Sequence, residues 1–310
     1  MTSSVAYPQL TESFLVRRLA HPSGKIRMVL DTDTYNEIDD QFAVVYALLS
    51  GEKMQVEALY AAPFFNSLSL GPKDGMEKSY NEILKIRKIL NREDVPVYRG
   101  SESYFPATHT PVDSEAARNL VERAMASDPD DPLYVVGIGA VTNIASAILL
   151  EPKIIERIVV VWLGGHALEW PDTREFNLFQ DLHGSRVLFD SGVPLVLVPC
   201  MGVASNLRTT LSEVRDYVKP LGEIGQYLYE TYRDCADDHY AYSRVIWDIG
   251  VIAWLNIPEH APSYLMTSPH ISENFRWSID PNRHLIRYVR YFDRDAAFRN
   301  LFDLIARTQQ

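Results

Sequence analysis

The sequence predicts an α/β fold with a doubly wound, mostly parallel sheet flanked by helices. Apolar, β-branched runs alternate with helical patterns up to about residue 200, and most of these runs are apolar at nearly every position. Such strands are typical of sheets covered by helices on both faces. The chain has 310 residues, of which 46% are hydrophobic, and contains neither repeats nor a Gly/Ser-rich linker, so we expect a single domain over 1–310.

The predicted strands follow one another along the chain. They are IRMVLD (26–31), VEALYA (56–61), VPVY (95–98), LYVVGI (133–138), RIVVVWL (157–163) and PLVLVPC (194–200). In a parallel sheet their carboxyl ends meet at one edge, and ligands of doubly wound proteins bind outside that edge.

The helical patterns lie between these strands. QFAVVYALL predicts an amphipathic helix directly after the first strand, and MEKSYNEILKIRKIL (76–90) and SEAARNLVERAMA (114–126) predict two more, the latter with Asp113 as its N-cap. A mainly helical segment follows over 211–256. We then expect a small C-terminal hairpin around Pro281 and Asn282, formed by RWSID (276–280) and HLIRYVRYF (284–292), before a last helix at 295–308.

Composition excludes several classes of protein. The formal charge of −11 and the lack of a Lys/Arg run argue against a nucleic acid partner. The sequence contains no run of about 20 apolar residues, so it predicts no membrane-spanning helix. Cys200 and Cys235 cannot form a disulfide framework, and the N-terminal segment MTSSVAYPQLTESFLVRRLA lacks the basic-then-apolar order of a secretion signal. We therefore expect a cytoplasmic protein.

Four aspartates and a glutamate are crowded into the segment DTDTYNEIDDQF (31–42). Asp31 and Asp33 end the first predicted strand, and Asp39 and Asp40 begin the next helix, whose N-terminus relieves only about 1 kcal/mol of repulsion per charge. A divalent cation would relieve far more, and ligands that are all oxygen favour Ca²⁺ or Mg²⁺ over zinc. The alternative is a solvated acidic loop with Asp39 as a helix N-cap.

Five segments, in order, resemble the inosine–uridine-preferring nucleoside hydrolase family. DTDTYNEIDD is similar to the family's N-terminal DTDxxxDD signature. Four further segments match the family's order: VGIGAVTNIASAI (136–148), WLGGHALEWPDTREFN (162–177), DLHGSRVLFDSGVPLVLVP (181–199) and IWDIGVIAWL (246–255). The resemblance implies the family's fold and a calcium-dependent hydrolysis of the N-glycosidic bond of a nucleoside or related riboside. A purine nucleoside is one candidate substrate.

The resemblance also implies a role for each matching residue. The expected Ca²⁺ ligands are Asp33, Asp40, Asp248 and the main-chain carbonyl of Ile138, with Asp33 also acting as the general base for a calcium-bound water. The expected contacts to the sugar hydroxyls are Asp39, Glu175, Asn177 and Asp248, while Asp31 supports the loop from behind. A homo-oligomer and a small nucleoside or glycoside as substrate are implied as well.

The acidic segment departs from the family pattern in its spacing. Five residues separate Asp33 from Asp39, whereas the family has three. Either the loop bulges and Asp39 and Asp40 keep their roles, or Glu37 enters the site. We expect the bulge, which places Tyr35 and Asn36 at the pocket rim.

Residues for the leaving base are less well matched. Trp247, directly before Asp248, resembles the purine-preferring arrangement in which a tryptophan stacks on the base, although a core tryptophan is the alternative. The family's asparagine after the Gly-Gly strand end has no clear match, and His166 or Glu169 would replace it. Asn66 is the candidate for a second asparagine that contacts the ribose; further imidazoles near the expected pocket are His109 and His239.

Three other functions compete with nucleoside hydrolysis. DTDT also matches the DxDx loop of haloacid-dehalogenase-type phosphatases, but no acidic pair follows RIVVVWLGG to hold magnesium. A hydrolase of another glycoside in carbohydrate metabolism remains open, as does a calcium-dependent sugar- or nucleoside-binding protein without turnover.

Overall fold

The computed structural model describes residues 6–309, so the first five residues of the N-terminal segment considered above lie outside the described part. The main sheet has eight strands in the order β3-β2-β1-β4-β5-β6-β12-β9. Its strands are β1 (Ile26–Thr32), β2 (Met54–Ala61), β3 (Val97–Arg99), β4 (Leu133–Gly137), β5 (Ile158–Leu163), β6 (Leu195–Val198), β9 (Ser263–Thr267) and β12 (Leu285–Val289). All neighbours pair in parallel except β12 and β9, which are antiparallel. This confirms the predicted fold class.

The remaining elements surround this sheet. Helices of the described residues are α1 (Glu12–Arg18), α2 (Asp39–Leu49), α3 (Pro72–Ile89), α4 (Glu115–Ala126), α5 (Thr142–Leu150), α6 (Phe176–Gln180), α7 (Leu182–Asp190), α8 (Leu211–Tyr217), α9 (Gly222–Arg233), α10 (Ile249–Asn256) and α11 (Arg294–Arg307). Two small antiparallel pairs are formed by β7 (Arg208–Thr209) with β8 (Arg244–Val245) and by β10 (His270–Ile271) with β11 (Trp277–Ser278). In residues 6–309, no helix is long and apolar enough to cross a membrane.

The central strands are buried on both faces, as their apolar sequences predict. In β1, Met28 and Leu30 belong to one apolar core, whereas Val29 between them belongs to the core on the opposite face. The first core packs against α2, α10 and α11, and the second against α4, α5 and α7. Both faces of the sheet are therefore covered by helices, which is the arrangement typical of parallel sheets.

Three local predictions differ from the structure. RWSID and HLIRYVRYF do not pair with each other, because β12 inserts beside β6 and pairs with β9, while β11 pairs with β10. Helix α2 is buried along Asp39–Leu48 rather than amphipathic, since α10 and α11 cover the side that faces away from the sheet. The N-cap of α4 is Ser114, whose hydroxyl accepts a hydrogen bond from the Ala117 amide, and not Asp113.

The order of the strands reverses beside β1. From β1 the chain runs outward to β2 and β3, and it then returns to place β4 on the other side of β1. At such a switch point the loops after the two adjacent strands diverge and leave a crevice at the carboxyl ends. The acidic segment that follows β1 opens into this crevice.

Candidate active site

Ends of four elements meet at the crevice. Asp31 lies in the last residues of β1, Asp33 directly follows this strand, and Asp39 and Asp40 form the first turn of α2. Ile138 follows β4, and Asp248 immediately precedes α10. These ends converge because parallel strands deliver their carboxyl ends to the same edge of the sheet.

A buried group of three carboxylates lies at the centre of the crevice. Asp39, Asp40 and Asp248 each offer one oxygen atom, and these atoms lie within 4.8 Å of one another. All three side chains are almost fully buried, at 4%, 1% and 3% exposure. Carboxylates at this separation and burial repel one another strongly unless protons or a cation neutralise them.

Asp33 lies next to this group and has one free oxygen. Its Oδ2 accepts a hydrogen bond from Nδ2 of Asn36 at 2.6 Å, whereas its Oδ1 is buried and has no hydrogen-bond partner within residues 6–309. Asp40 has the same arrangement, because Oδ1 accepts from the Thr32 hydroxyl at 2.6 Å and Oδ2 has no partner. Each residue thus keeps one carboxylate oxygen for a ligand.

Burial changes the protonation of all these acids. It raises the pKa of Asp39 to about 7, to which repulsion by Glu37 adds. Burial, followed by repulsion from neighbouring aspartates, raises the pKa of Asp40 and of Asp248 well above the ordinary range. Burial likewise raises the pKa of Asp33, against the opposing effect of the hydrogen bond from Asn36.

The residues present fit a hard divalent cation. The donor group is all oxygen, it carries several formal negative charges, and two of its buried oxygens lack a partner in the protein. Such a set is suited to Ca²⁺ or Mg²⁺ and poorly suited to metals that prefer sulfur or imidazole. A bound cation would both satisfy these oxygens and favour the ionised carboxylates.

Asp31 is held from behind by α5. Its Oδ1 accepts a hydrogen bond from Nδ2 of Asn143 at 3.2 Å, and the side chain is 1% exposed. Burial raises the pKa of Asp31 to about 7. Asn143 also binds the Ala61 carbonyl and the amide and hydroxyl of Ser101, so one side chain links the ends of β1, β2 and β3.

Glu175 and Asn177 close the side of the crevice next to β5. The Glu175 carboxylate caps α6 by accepting from the amides of Asn177 and Leu178, and it also accepts from the Gly165 amide at 2.9 Å. Asn177 donates through Nδ2 to the carbonyl oxygens of Leu163 at 3.1 Å and Ile138 at 3.3 Å. The Ile138 carbonyl that we expected at a metal therefore lies at the crevice and already accepts one hydrogen bond.

A cavity of about 290 Å³ lies above the carboxylates. Its polar wall includes Asp39, Asp248, Glu175 and Asn177, while Asp33 and Asp40 are not among the lining residues. Trp247, Trp170, His166, Met201 and Cys200 line it as well. The cavity thus combines hydrogen-bonding groups with aromatic surface, which suits a ligand made of a sugar and a flat ring.

The aromatic wall contains two tryptophans and one imidazole. Trp247 is half-buried and faces the cavity, although it also packs against the apolar core. The His166 ring packs edge-on against Trp170 with ring centres 6.3 Å apart. Nδ1 of His166 accepts from the Met201 amide at 3.4 Å, and burial lowers the pKa of the imidazole.

The extra residues of the acidic loop form a bulge. Tyr35 has a φ of 102° and is 41% exposed, whereas the next residue, Asn36, turns inward. Glu37 lines the cavity and forms an ion pair with Arg244 at 2.6 Å. Glu37 is not part of the carboxylate group, and Asp39 and Asp40 begin α2 as the bulge requires.

Other residues named from the sequence lie outside the cavity lining. Asn66 donates through Nδ2 to the Asn36 carbonyl at 2.9 Å and so braces the bulge. His109 and Glu169 are exposed, and His239 contacts the Arg233 carbonyl at 2.8 Å. None of these four residues is among those that line the cavity.

Several cavity residues were not anticipated. Arg174, Cys200 and Met201 carry no motif of their own, and Trp170 lies in a loop without regular structure. The contact of Asn36 with Asp33 was also missed, although an asparagine three residues after an acidic strand end is a common turn residue and gave a weak signal.

Comparison with known proteins identifies the family. The sequence profile described as inosine-uridine preferring nucleoside hydrolase matches residues 28–282. The pyrimidine-specific ribonucleoside hydrolase RihA of Klebsiella pneumoniae (strain 342) is 25% identical over 260 residues, which cover 75% of this chain and 80% of that protein.

Solved structures share the fold. The purine-preferring ribonucleoside hydrolase from Gardnerella vaginalis superposes with a TM-score of 0.74 at 20% identity, over 90% of this chain and 98% of that chain. The plant nucleoside hydrolase PpNRh1 gives 0.74 at 17% identity, over 92% and 99%. With the profile match, these findings confirm the resemblance: the chain belongs to the inosine-uridine preferring nucleoside hydrolase family and is a hydrolase of N-glycosidic bonds.

Proposed function

We propose that this chain hydrolyses the N-glycosidic bond of a nucleoside in a calcium-dependent reaction, with a purine as the preferred base. One observation carries the proposal: Asp39 and Asp248, two of the three clustered buried carboxylates, line a cavity that Trp247 and Trp170 also line. The same cavity therefore offers groups suited to a metal and a sugar together with aromatic surface suited to a nucleobase.

The proposed metal ligands are Asp33, Asp40, Asp248 and the carbonyl of Ile138. Free oxygens on Asp33 and Asp40 support this set, and the family is metal-dependent. Several carboxylates plus a carbonyl favour Ca²⁺ over Mg²⁺, which demands stricter octahedral geometry. When bound, the cation would lower the pKa of a water molecule and orient two sugar hydroxyls.

Asp33 is the proposed general base. Its fixed oxygen is held by Asn36, and its other oxygen is free to take a proton from the attacking water. As the glycosidic bond breaks, positive charge develops at the sugar ring, and the neighbouring carboxylates stabilise it electrostatically. Asp31 supports this arrangement through the strand end and Asn143.

The proposed sugar contacts are Asp39, Asp248, Glu175 and Asn177, all of which line the cavity. Asn66 acts in our proposal through the bulge that it braces. Trp247 and His166 are placed at the nucleobase: Trp247 would stack on the ring, and His166 would donate through Nε2, because its Nδ1 accepts from the Met201 amide.

The preference for purines rests on Trp247, which directly precedes Asp248 and lines the cavity. The relatives differ in this respect, since RihA of Klebsiella pneumoniae is a pyrimidine-specific enzyme and the hydrolase from Gardnerella vaginalis is purine-preferring. The homo-oligomer implied by the family resemblance stays a prediction, and light scattering coupled to size exclusion would measure it.

A substrate screen tests the proposed function. Released reducing sugar is measured with Ca²⁺ for inosine, adenosine, uridine, cytidine and a set of simple O-glycosides. We expect release from nucleosides, fastest with a purine. Sugar release from O-glycosides alone would show that the substrate is another glycoside and not a nucleoside. Binding of nucleosides in a calorimeter without sugar release would indicate a binding protein.

A further inference from the structure

Asn36 comes from the lengthened loop and reaches the cavity. It is 7% exposed, it lines the cavity, and it follows the strained residue Tyr35 with its φ of 102°. Non-glycine residues adopt this backbone region at a cost, so the surrounding contacts must hold the turn in place. The turn directs the amide of Asn36 inward.

The two ends of this amide face different groups. Nδ2 donates to Oδ2 of Asp33 at 2.6 Å. As a metal ligand and general base Asp33 is ionised, and an ionised carboxylate only accepts, so this contact assigns the nitrogen of the amide to the end that faces Asp33. Oδ1 then points away from Asp33 and is buried, with no hydrogen-bond partner among the residues that the structure describes.

The main chain of Asn36 is fixed as well. Its amide donates to the Asp33 carbonyl at 3.0 Å, and its carbonyl accepts from Nδ2 of Asn66 at 2.9 Å. The side chain is therefore held in place before any ligand binds. A buried acceptor that lacks a protein partner is costly, and a donor on a ligand in the cavity would satisfy it.

We propose that Asn36 has two functions, one at each end of its amide. Nδ2 positions Asp33, and Oδ1 accepts a hydrogen bond from one hydroxyl group of the substrate's sugar, which makes Asn36 a determinant of sugar specificity. This inference rests on the proposed function and adds to it a residue supplied by the lengthened loop.

The test compares inosine with its 2′-deoxy, 3′-deoxy and 5′-deoxy analogues in the native enzyme and in Asn36→Ala, with Ca²⁺ present. In the native enzyme, removal of one particular hydroxyl should lower kcat/KM. In the variant the factor by which it falls should be about ten times smaller, because the Asn36 oxygen that accepts from this hydroxyl is gone. The ratios for the other two hydroxyls should stay the same. Native values for all three ratios in Asn36→Ala would overturn the contact with the sugar.

A second variant separates the two functions. Asn36→Asp keeps an oxygen in place of Oδ1 but removes the donor to Asp33, so we expect the native hydroxyl preference with kcat lowered about tenfold. A native kcat in this variant would overturn the positioning function. Aspartate has the same shape as asparagine, so Asn36→Asp still tests the positioning function if Asn36→Ala does not fold. Circular dichroism would reveal such a failure to fold.

A matched control and a binding measurement complete the test. Tyr35→Ala changes the adjacent exposed residue and should keep the native hydroxyl ratios; their loss would show that any change in the turn alters them and would overturn the assignment to Asn36. Calorimetric binding of the same four nucleosides distinguishes failure of the proposed function. If the native protein does not turn over the nucleosides but binds them with a hydroxyl preference that Asn36→Ala abolishes, nucleoside hydrolysis is overturned and the contact between Asn36 and the sugar is retained.

Discussion

At the scale of single residues, two aspartates have one bound and one free oxygen each. Asp33 is held by Asn36, and Asp40 is held by the Thr32 hydroxyl. In both, the second oxygen is buried without a protein partner. A carboxylate that is oriented on one side and free on the other is ready for metal binding or proton transfer without further reorganisation.

Replacing Asp33 by Asn should nearly abolish turnover. The amide cannot accept a proton from water, and general base catalysis typically contributes about 10²- to 10⁴-fold, so we expect kcat for inosine to fall by that factor. Steady-state rates of sugar release measure it. Glu93→Gln, at an exposed acid that does not line the cavity, is the matched control; equal activity of the Asp33 and Glu93 variants would refute the assignment.

Trp247→Ala should act mainly on purine nucleosides. Stacking of a base on an aromatic side chain contributes about 1–3 kcal/mol, so kcat/KM for inosine should fall about tenfold or more. We expect a smaller loss for uridine, whose ring has less stacking area, and uridine therefore serves as an internal reference. Equal and small changes for both substrates would return Trp247 to a packing role.

At the scale of elements, the ends of the strands were predictable and the pairing at the C-terminal edge was not. Segments such as LYVVGI carry their own signal, because a strand buried on both faces is apolar throughout. HLIRYVRYF gives no such indication of its partner. Its place between β6 and β9 depends on contacts distant in sequence, and short apolar patterns do not encode these.

The same limit applies to the candidate site. Strand geometry predicted that Asp33, Asp39 and Asp40 lie at the carboxyl edge of the sheet, and the family resemblance implied that Asp248 joins them. The sequence could not predict that Asn36 turns inward while Tyr35 turns outward. That difference follows from the backbone at Tyr35 and from the brace by Asn66.

Asn143→Ala tests how α5 supports the site. The side chain links Asp31, the Ala61 carbonyl and Ser101, all of them buried. Each buried polar group left without a partner costs about 1–3 kcal/mol, so the free energy of unfolding should fall by about 3 kcal/mol. Urea denaturation measures it. The control Asn282→Ala, at an exposed asparagine, should change the free energy of unfolding by less than about 0.5 kcal/mol. A similarly small change for Asn143→Ala would contradict the proposed support of the site by α5.

At the scale of the whole molecule, the acidic crevice makes stability depend on pH in the metal-free protein. The pKa of Asp31 and that of Asp39 are raised to about 7 by burial, above the value of about 3.9 expected in the unfolded chain. The folded state then holds these protons more tightly than the unfolded state. Their stabilising contribution is complete below about pH 4 and is lost as the pH rises through about 7.

Thermal unfolding should show this loss and its reversal by metal. In EDTA we expect Tm to fall between about pH 4 and pH 7, whereas Ca²⁺ should reduce the fall, because the cation binds the ionised carboxylates. Calorimetric scans at several pH values, with and without Ca²⁺, measure both curves. Parallel curves would mean that these carboxylates do not bind the cation.

The most direct test of calcium-dependent nucleoside hydrolysis is inosine turnover after removal and return of metal. The protein is treated with EDTA, dialysed, and assayed for released ribose with no metal, with Ca²⁺ and with Mg²⁺. We predict that EDTA abolishes release and that Ca²⁺ restores it in the native enzyme but not in Asp40→Ala. Release that persists without metal, or that returns with Mg²⁺ alone, would contradict the account.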